Sequence, residues 1–255
     1  MDSFDKIFEI DRRLRTGKLE SQLAALKQLP SLILSLHSDP IALGTLLTRL
    51  ADFFLSARNE LRVCVVRALK ACVPHIQDLP GHGEEIVRRL GVLWDSNDVY
   101  ARSLVVKVYG YLARGLADCH GAIYRIHQSL LSPHEEEHEA AALAAFAFLK
   151  AKPQCLRHFA DALLRLWRQL PRESFLRPLL LEALDQESEC ATTELSIYHH
   201  LARDLDHSEP QQAGQIITLL TKICIRTGFL ISAHQTLLEQ YNSHAKLDEI
   251  KAFFG

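Results

Sequence analysis

The chain has 255 residues, of which 48% are hydrophobic and 24% charged. That excludes wholesale disorder and leaves enough apolar surface for a sizeable core. Lys+Arg 29 against Asp+Glu 31 gives a formal net charge of −2, which supplies no general reason to expect a nucleic-acid partner. The balance is uneven along the chain: residues 1–128 carry 17 basic and 14 acidic groups, residues 129–255 carry 12 and 17. The opening stretch MDSFDKIFEIDRRLR is charged within a few residues and has no long apolar run. It reads as neither a secretory signal nor a membrane span, so the nucleus or cytosol is expected.

Helical punctuation is frequent and strand signals are nearly absent. Arg12, Arg13, Arg15 and Lys18 form a basic group near the N-terminus. Solvated charges on a short helix are the plain reading, and contact with phosphate or an acidic partner is the functional one. Pro30 is expected to stop or bend the chain. Asp39-Pro40 reads as an N-cap followed by proline at the first helical position, opening a run of Leu43, Leu46, Leu47, Leu50, Ala51 and Phe54. Pro74 and Pro80-Gly81-His82-Gly83 break the pattern before a run with Val87, Leu90 and Trp94. Asn97-Asp98 can cap the next helix. Ile123, Ile126, Leu130 and Leu131 follow, then Ser132-Pro133-His134-Glu135, which reads as a capping box. Beyond Lys152-Pro153 comes an amphipathic run from Leu156 to Trp167, ended at Pro171. A weaker run lies around Ile197 and Leu201, and Ser208-Glu209-Pro210-Gln211 opens a last helix.

Between these runs one apolar signature recurs five times, at i, i+3, i+4, i+7 and i+8. Its copies begin at Leu61, Ala101, Ala140, Leu176 and Ile216, stepping by 40, 39, 36 and 40 residues. Each copy is one face of an α-helix. The fourth copy holds Pro178 in its first turn, and the fifth begins just after Gly214. Two helices per repeat at this period are the mark of HEAT or armadillo arrays, whose units bury their apolar faces only by stacking. The expected fold is an all-α, HEAT/armadillo-like solenoid of about five to six helix pairs, running as one domain over 1–255. Function is then expected on a surface rather than in a pocket. Arg62 and Arg102 sit one residue past the signature start, with Asp98 four residues before Arg102. Such groups order the turns of repeat proteins and bridge neighbouring repeats. Ala141 stands where the third arginine would be, so the ladder is expected to break there.

Other chemistry is sparse. Six cysteines (Cys64, Cys72, Cys119, Cys155, Cys190 and Cys224) form no CxxC pair, and buried free thiols explain them. His134-Glu135-Glu136-Glu137-His138 matches HExxH, in which two histidines one turn apart hold zinc and the glutamate is general base. Here the motif sits directly after Ser132-Pro133, its extra acids suit a helix N-terminus, and no third ligand follows at zincin spacing. A solvated acidic helix start is therefore expected, with His134, Glu135 and His138 as the metal candidate to be weighed against it. Tyr198-His199-His200, with His207 beyond, is a second histidine concentration, but adjacent histidines on a helix point about 100° apart. Arg88-Arg89 and the line Arg102, Lys107, Arg114 read as solvated charge. No catalytic residue and no cofactor are expected.

Collinear motifs carry a family resemblance. The segment from Glu9 to Glu20 holds an RxGKL-like turn at Arg15-Thr16-Gly17-Lys18-Leu19. Leu50-Ala51-Asp52-Phe53-Phe54 precedes Asn59-Glu60-Leu61-Arg62-Val63-Cys64-Val65. Ser96-Asn97-Asp98-Val99-Tyr100-Ala101-Arg102 is an SNDxxAR turn, and Ile126 to Leu130 with Glu137 to Ala141 continues the run. Together these resemble the N-terminal region of the seventh subunit of the Integrator complex, from about residue 7 to 150 and fading towards 200. The resemblance implies a nuclear, non-catalytic scaffold among other protein subunits, with a cytoplasmic pool as the variant. Its complex associates with RNA polymerase II, processes small nuclear RNA 3′ ends and attenuates transcription, and the subunit is linked to DNA-damage signalling. Contact with nucleic acid is expected to be indirect at most, with no membrane and no small-molecule substrate. Family members are several times longer than this chain, so it is expected to be the N-terminal part of a longer architecture, with an apolar end around Phe253 and Phe254 that promotes self-association. A generic HEAT adaptor and a zinc hydrolase on the HExxH residues are the competing readings.

Overall fold

A computed structural model describes residues 3–76, 79, 81–186, 191–205, 208 and 210–227. Among them there are helices and turns but no strand. The α-helices are α1 (Ser3–Thr16), α2 (Leu19–Ser35), α3 (Pro40–Ser56), α4 (Asn59–Cys72), α5 (Gly83–Leu90) and α6 (Val99–Tyr111). They continue as α7 (Ala113–Leu116), α8 (His120–Leu130), α9 (Glu135–Ala151), α10 (Leu156–Gln169), α11 (Leu176–Leu184), α12 (Ala191–Asp204) and α13 (Pro210–Thr227). None is long and apolar enough to cross a membrane.

The helices stack in two layers. In the first, α1, α3, α5, α8, α10 and α12 each pack on the next; in the second, α2, α4, α6, α9, α11 and α13 do the same. α7 is one extra turn, packed on α9 and α5. This is an all-α solenoid of six helix pairs among the described residues. All five signature copies lie in the second layer, on α4, α6, α9, α11 and α13. The apolar runs between them form the first layer. Large side chains from successive pairs fill the space between layers: Phe54, Tyr109, Phe148, Phe159 and Trp167 are each almost wholly buried. Phe148 and Phe159 meet edge to face at 6.4 Å, joining α9 to α10. Burial pushes the Tyr109 hydroxyl up to about 12.

Three sequence expectations need correction. Pro30 does not end a helix; α2 runs through it, because the burial of Leu29 before it and of Leu32 and Ile33 beyond it outweighs one lost backbone hydrogen bond. With that helix, the array gains a first pair that the five signatures leave out. In α9 the buried stripe is rotated: Leu143 is 43% exposed, whereas Ala141, Ala142, Ala145 and Leu149 are buried. This helix is pressed by α6, α8 and α11 at once, and alanine suits all three contacts. Gly110 makes the α6 contact close, since a Cβ there would lie 2.9 Å from the Ala144 Cα. Finally, Ser132 is not an N-cap. The helix starts at Glu135 with His134 in the cap position, and the Ser132 Oγ accepts from the His134 N–H at 3.3 Å.

Other punctuation falls where expected. Asp39 accepts from the Ala42 N–H at 3.0 Å and Asp98 from the Ala101 N–H at 2.9 Å. Pro178 is the third residue of α11, where its missing N–H costs nothing. Cys72, Cys119, Cys155 and Cys224 are buried free thiols, and Cys64 is half-buried. Burial pushes the Cys119 thiol up to about 12, which keeps it protonated and inert. Cys190, His207, Phe253 and Phe254 lie outside the described residues.

Candidate protein-interaction surface

The turns that open α4, α6 and α11 in the second layer are locked by arginine. Arg62 is buried and donates to the carbonyls of Phe54 at 2.9 Å and Leu55 at 3.0 Å, and to Asn59 Oδ1 at 2.8 Å. Its head lies 4.0 Å from Asp98 of the next pair, which also accepts from Asn59 Nδ2 at 2.9 Å. Desolvation lowers the Arg62 pKa, and the Asp98 carboxyl is lowered first by the Ala101 N–H and then by Asn59. Arg102 repeats the arrangement one pair on, donating to the Ser96 carbonyl at 2.7 Å and to Glu137 Oε1 at 2.6 Å. Ala141 interrupts the ladder. It resumes at Arg177, which donates to the carbonyls of Trp167 at 3.2 Å and Leu170 at 2.9 Å, lies 4.3 Å over the Trp167 ring and reaches Gln212 at 3.5 Å. Arg177 also stands one residue past a signature start, so the period itself could have revealed it.

These contacts make the ladder a joint between pairs rather than a ligand site. Replacing Asp98 by alanine removes a helix cap and the acceptor of Asn59, and we expect a loss of about 1–2 kcal/mol by urea denaturation. A loss within error of zero would show that the turn holds without it.

The HExxH residues are not brought together. His134 has extended backbone outside the helix, so its spacing to His138 does not place both on one helical face. His134 and Glu135 are exposed, Glu137 points inward to Arg102, and the His138 ring bonds the Ser132 carbonyl. Among the described residues no three His, Cys, Asp or Glu groups are placed to hold a metal ion. His200 bonds Arg168.

The basic N-terminal group is likewise dispersed. Arg12 pairs with Glu9 in the same helix, Arg13 donates to Gln28 at 3.1 Å, and Lys18 is exposed where α2 begins. Arg15 heads a network along the first layer. It bonds Asp11 at 2.8 Å and Asp52 at 3.3 Å; Asp11 accepts from Arg49 at 2.6 Å, Asp52 from Arg89, and Glu85 from both Arg88 and Arg89. Hydrogen bonds from Arg88 and then Arg89 pull Glu85 down to about 2. A carboxylate so lowered stabilises the fold fully above its unfolded pKa, about 4.3, and loses that contribution as pH falls through the folded value. In thermal scans from about pH 5 to 2, the E85Q chain is therefore expected to lose less stability than the parent. Identical slopes would remove Glu85 from the account.

The exposed side of the second layer carries a different pattern. Six residues past the five signature starts stand Arg67, Lys107, Phe146, Glu182 and Lys222 on successive second-layer helices. Leu143 is exposed beside Phe146, and Lys150 lies 4.2 Å over the Phe146 ring and 3.4 Å from Glu182. A hollow between the second and third pairs is lined by Leu47, Phe54, Val65 and Ile86 among other apolar side chains. Its described lining is apolar and presents no group for chemistry.

Comparison with known proteins agrees with this architecture. An engineered protein superimposes with a TM-score of 0.62 at 17% identity, covering 88% of this chain and 97% of that one. A designed armadillo repeat protein, solved in complex with the peptide (KR)4, does so at 0.63 and 17%, covering 84% and 98%. In sequence, Integrator complex subunit 7 of Danio rerio is 28% identical over 243 residues, which is 94% of this chain and 25% of the relative. The Homo sapiens protein of that name is 32% identical over 148 residues, 58% of this chain and 15% of the relative. The chain thus spans about a quarter or less of the length of these curated relatives. The family model described as "Integrator complex subunit 7, N-terminal" matches residues 7–251, well beyond the fade towards 200 expected from the motifs. The chain belongs to the family of the N-terminal region of Integrator complex subunit 7.

Proposed function

We propose that the chain is a non-catalytic helical-repeat scaffold, acting as one solenoid domain, that docks protein subunits of an Integrator-like assembly in the nucleus. The observation that carries this reading is the extent of the family match: residues 7–251 take in every stacked pair, not one repeat. Rods of stacked repeats present long surfaces for other macromolecules, and the buried Arg62, Glu137 and Arg177 serve the joints between repeats. On the same reading the assembly associates with RNA polymerase II, supports small nuclear RNA 3′-end processing and transcription attenuation, and contributes to DNA-damage signalling.

The test is affinity purification of the tagged chain from nuclear extract with identification of the bound proteins by mass spectrometry. Integrator subunits are expected in the bound fraction. A folded chain that recovers other proteins and no Integrator subunit would favour the generic adaptor instead.

A further inference from the structure

Some cations of the array are matched to acids and others are not. In the first layer the arginines of the network are matched to acids, and in the ladder Arg62 and Arg102 are matched as well. On the solvent side of the second layer, Arg67 and Lys70 of α4 and Lys107 of α6 have no acid within ion-pair distance among the described residues. Arg67 and Lys70 are exposed and Lys107 is half-buried. Helix α6 contains no acid at all, and the exposed acid of α4, Glu60, lies two turns from Arg67. Three like charges left unpaired on neighbouring helices repel one another, and an acidic partner relieves that repulsion.

The next position in the same row is apolar. Phe146 and Leu143 on α9 follow Arg67 and Lys107, so the row reads cation, cation, apolar patch. Packed helices lie about 8–10 Å apart, and an extended chain advances about 3.3 Å per residue, so adjacent helices are about three residues of peptide apart. We propose that the exposed side of α4, α6 and α9 binds an extended acidic segment of a partner protein, with acids about three residues apart over Arg67 and Lys107 and an apolar side chain about three residues further on, against Leu143 and Phe146. The inference rests on the scaffold reading above for the existence of a partner, and it names that partner's chemistry. A single-stranded nucleic acid fits less well. Among the described residues three unpaired cations line the path; Lys150, over Phe146, is paired with Glu182, which occupies the following row position and opposes a phosphate backbone.

The experiment is fluorescence anisotropy on the whole chain. The probe is a labelled Gly/Ser peptide carrying two glutamates three residues apart and a leucine three residues beyond. Its glutamine counterpart and a uridine hexamer are the comparisons. The glutamate peptide is expected to bind at least about tenfold tighter than the glutamine one and to weaken as salt rises from about 0.05 to 0.5 M. R67E/K107E, checked for helicity by circular dichroism, is expected to lose about tenfold in affinity, and R67Q/K107Q less. R165E, an exposed change on the first-layer helix α10, is expected to lose nothing. Equal binding of the two peptides, tighter binding of the hexamer, or unaltered affinity in folded R67E/K107E would each overturn the inference. Failure of these binding tests by a chain that still recovers Integrator subunits leaves the scaffold reading intact. Peptide binding without such recovery supports this surface and removes that reading.

Discussion

Replacing Arg102 by alanine is expected to cost about 3–5 kcal/mol, among the largest losses available to a single substitution in this chain. Glu137 is 2% exposed, and its carboxylate is held by Arg102 at 2.6 Å across the joint between α6 and α9. Without the guanidinium, that carboxylate stays buried with its charge partner gone. Removing both charges at once is a different change: R102M/E137L leaves no uncompensated ion, and the double variant is expected to be more stable than R102A alone. Urea denaturation of the parent, R102A, E137Q and the double variant measures each arm. If R102A unfolds at the parent's midpoint, the pair is not a joint and the ladder account fails at its centre.

Trp167 carries the second large expectation. Its side chain is 1% exposed, its Nε1 donates to Asp204 of α12 at 3.1 Å, and its ring lies under Arg177 of α11. One residue thus ties three helices from two pairs. W167A leaves a cavity and uncovers Arg177, and we expect a loss of about 3–5 kcal/mol. W167F keeps much of the packing and forfeits the bond to Asp204, so a loss of roughly 1–2 kcal/mol is expected. Because each repeat touches only its neighbours, W167A should lower protection of α10 to α12 more than that of α3 and α4 when followed by hydrogen exchange. Uniform loss along the chain would mean that the array unfolds as one unit.

The second layer is legible in the sequence because leucine, valine and isoleucine mark one helical face at a regular period. The first pair escapes the reading: counted back 39 residues from Leu61, the signature positions hold Gln22, Ala25, Leu26, Leu29 and Pro30. Both end positions are spoiled, yet Ala25, Leu26 and Leu29 are buried and Gln22 donates to the Leu14 carbonyl at 2.7 Å. In α9 the difficulty is the reverse. Six of the eight residues from Ala140 to Ala147 are alanines, so period cannot fix which face is buried. The HExxH match misleads because a helix boundary falls between its first two residues, and spacing counts for geometry only within one helix. Glu137 looks like one more acid of a solvated run, since its partner is 35 residues away and only stacking brings the two together. Arg67, Lys107 and Phe146 likewise become one row only when the repeats are aligned, because nothing local links them.

A stacked surface that is already formed before any partner arrives is expected to do the binding. Hydrogen exchange of the free chain, and of the same chain within the assembly recovered from nuclear extract, tests it most directly. Helices α6, α9 and α10 are expected to exchange slowly in the free chain, with added protection on assembly concentrated in the second-layer helices α4, α6 and α9. Exchange of α6 and α9 at unfolded-chain rates until partners bind would contradict it, because the array would then form only as it binds.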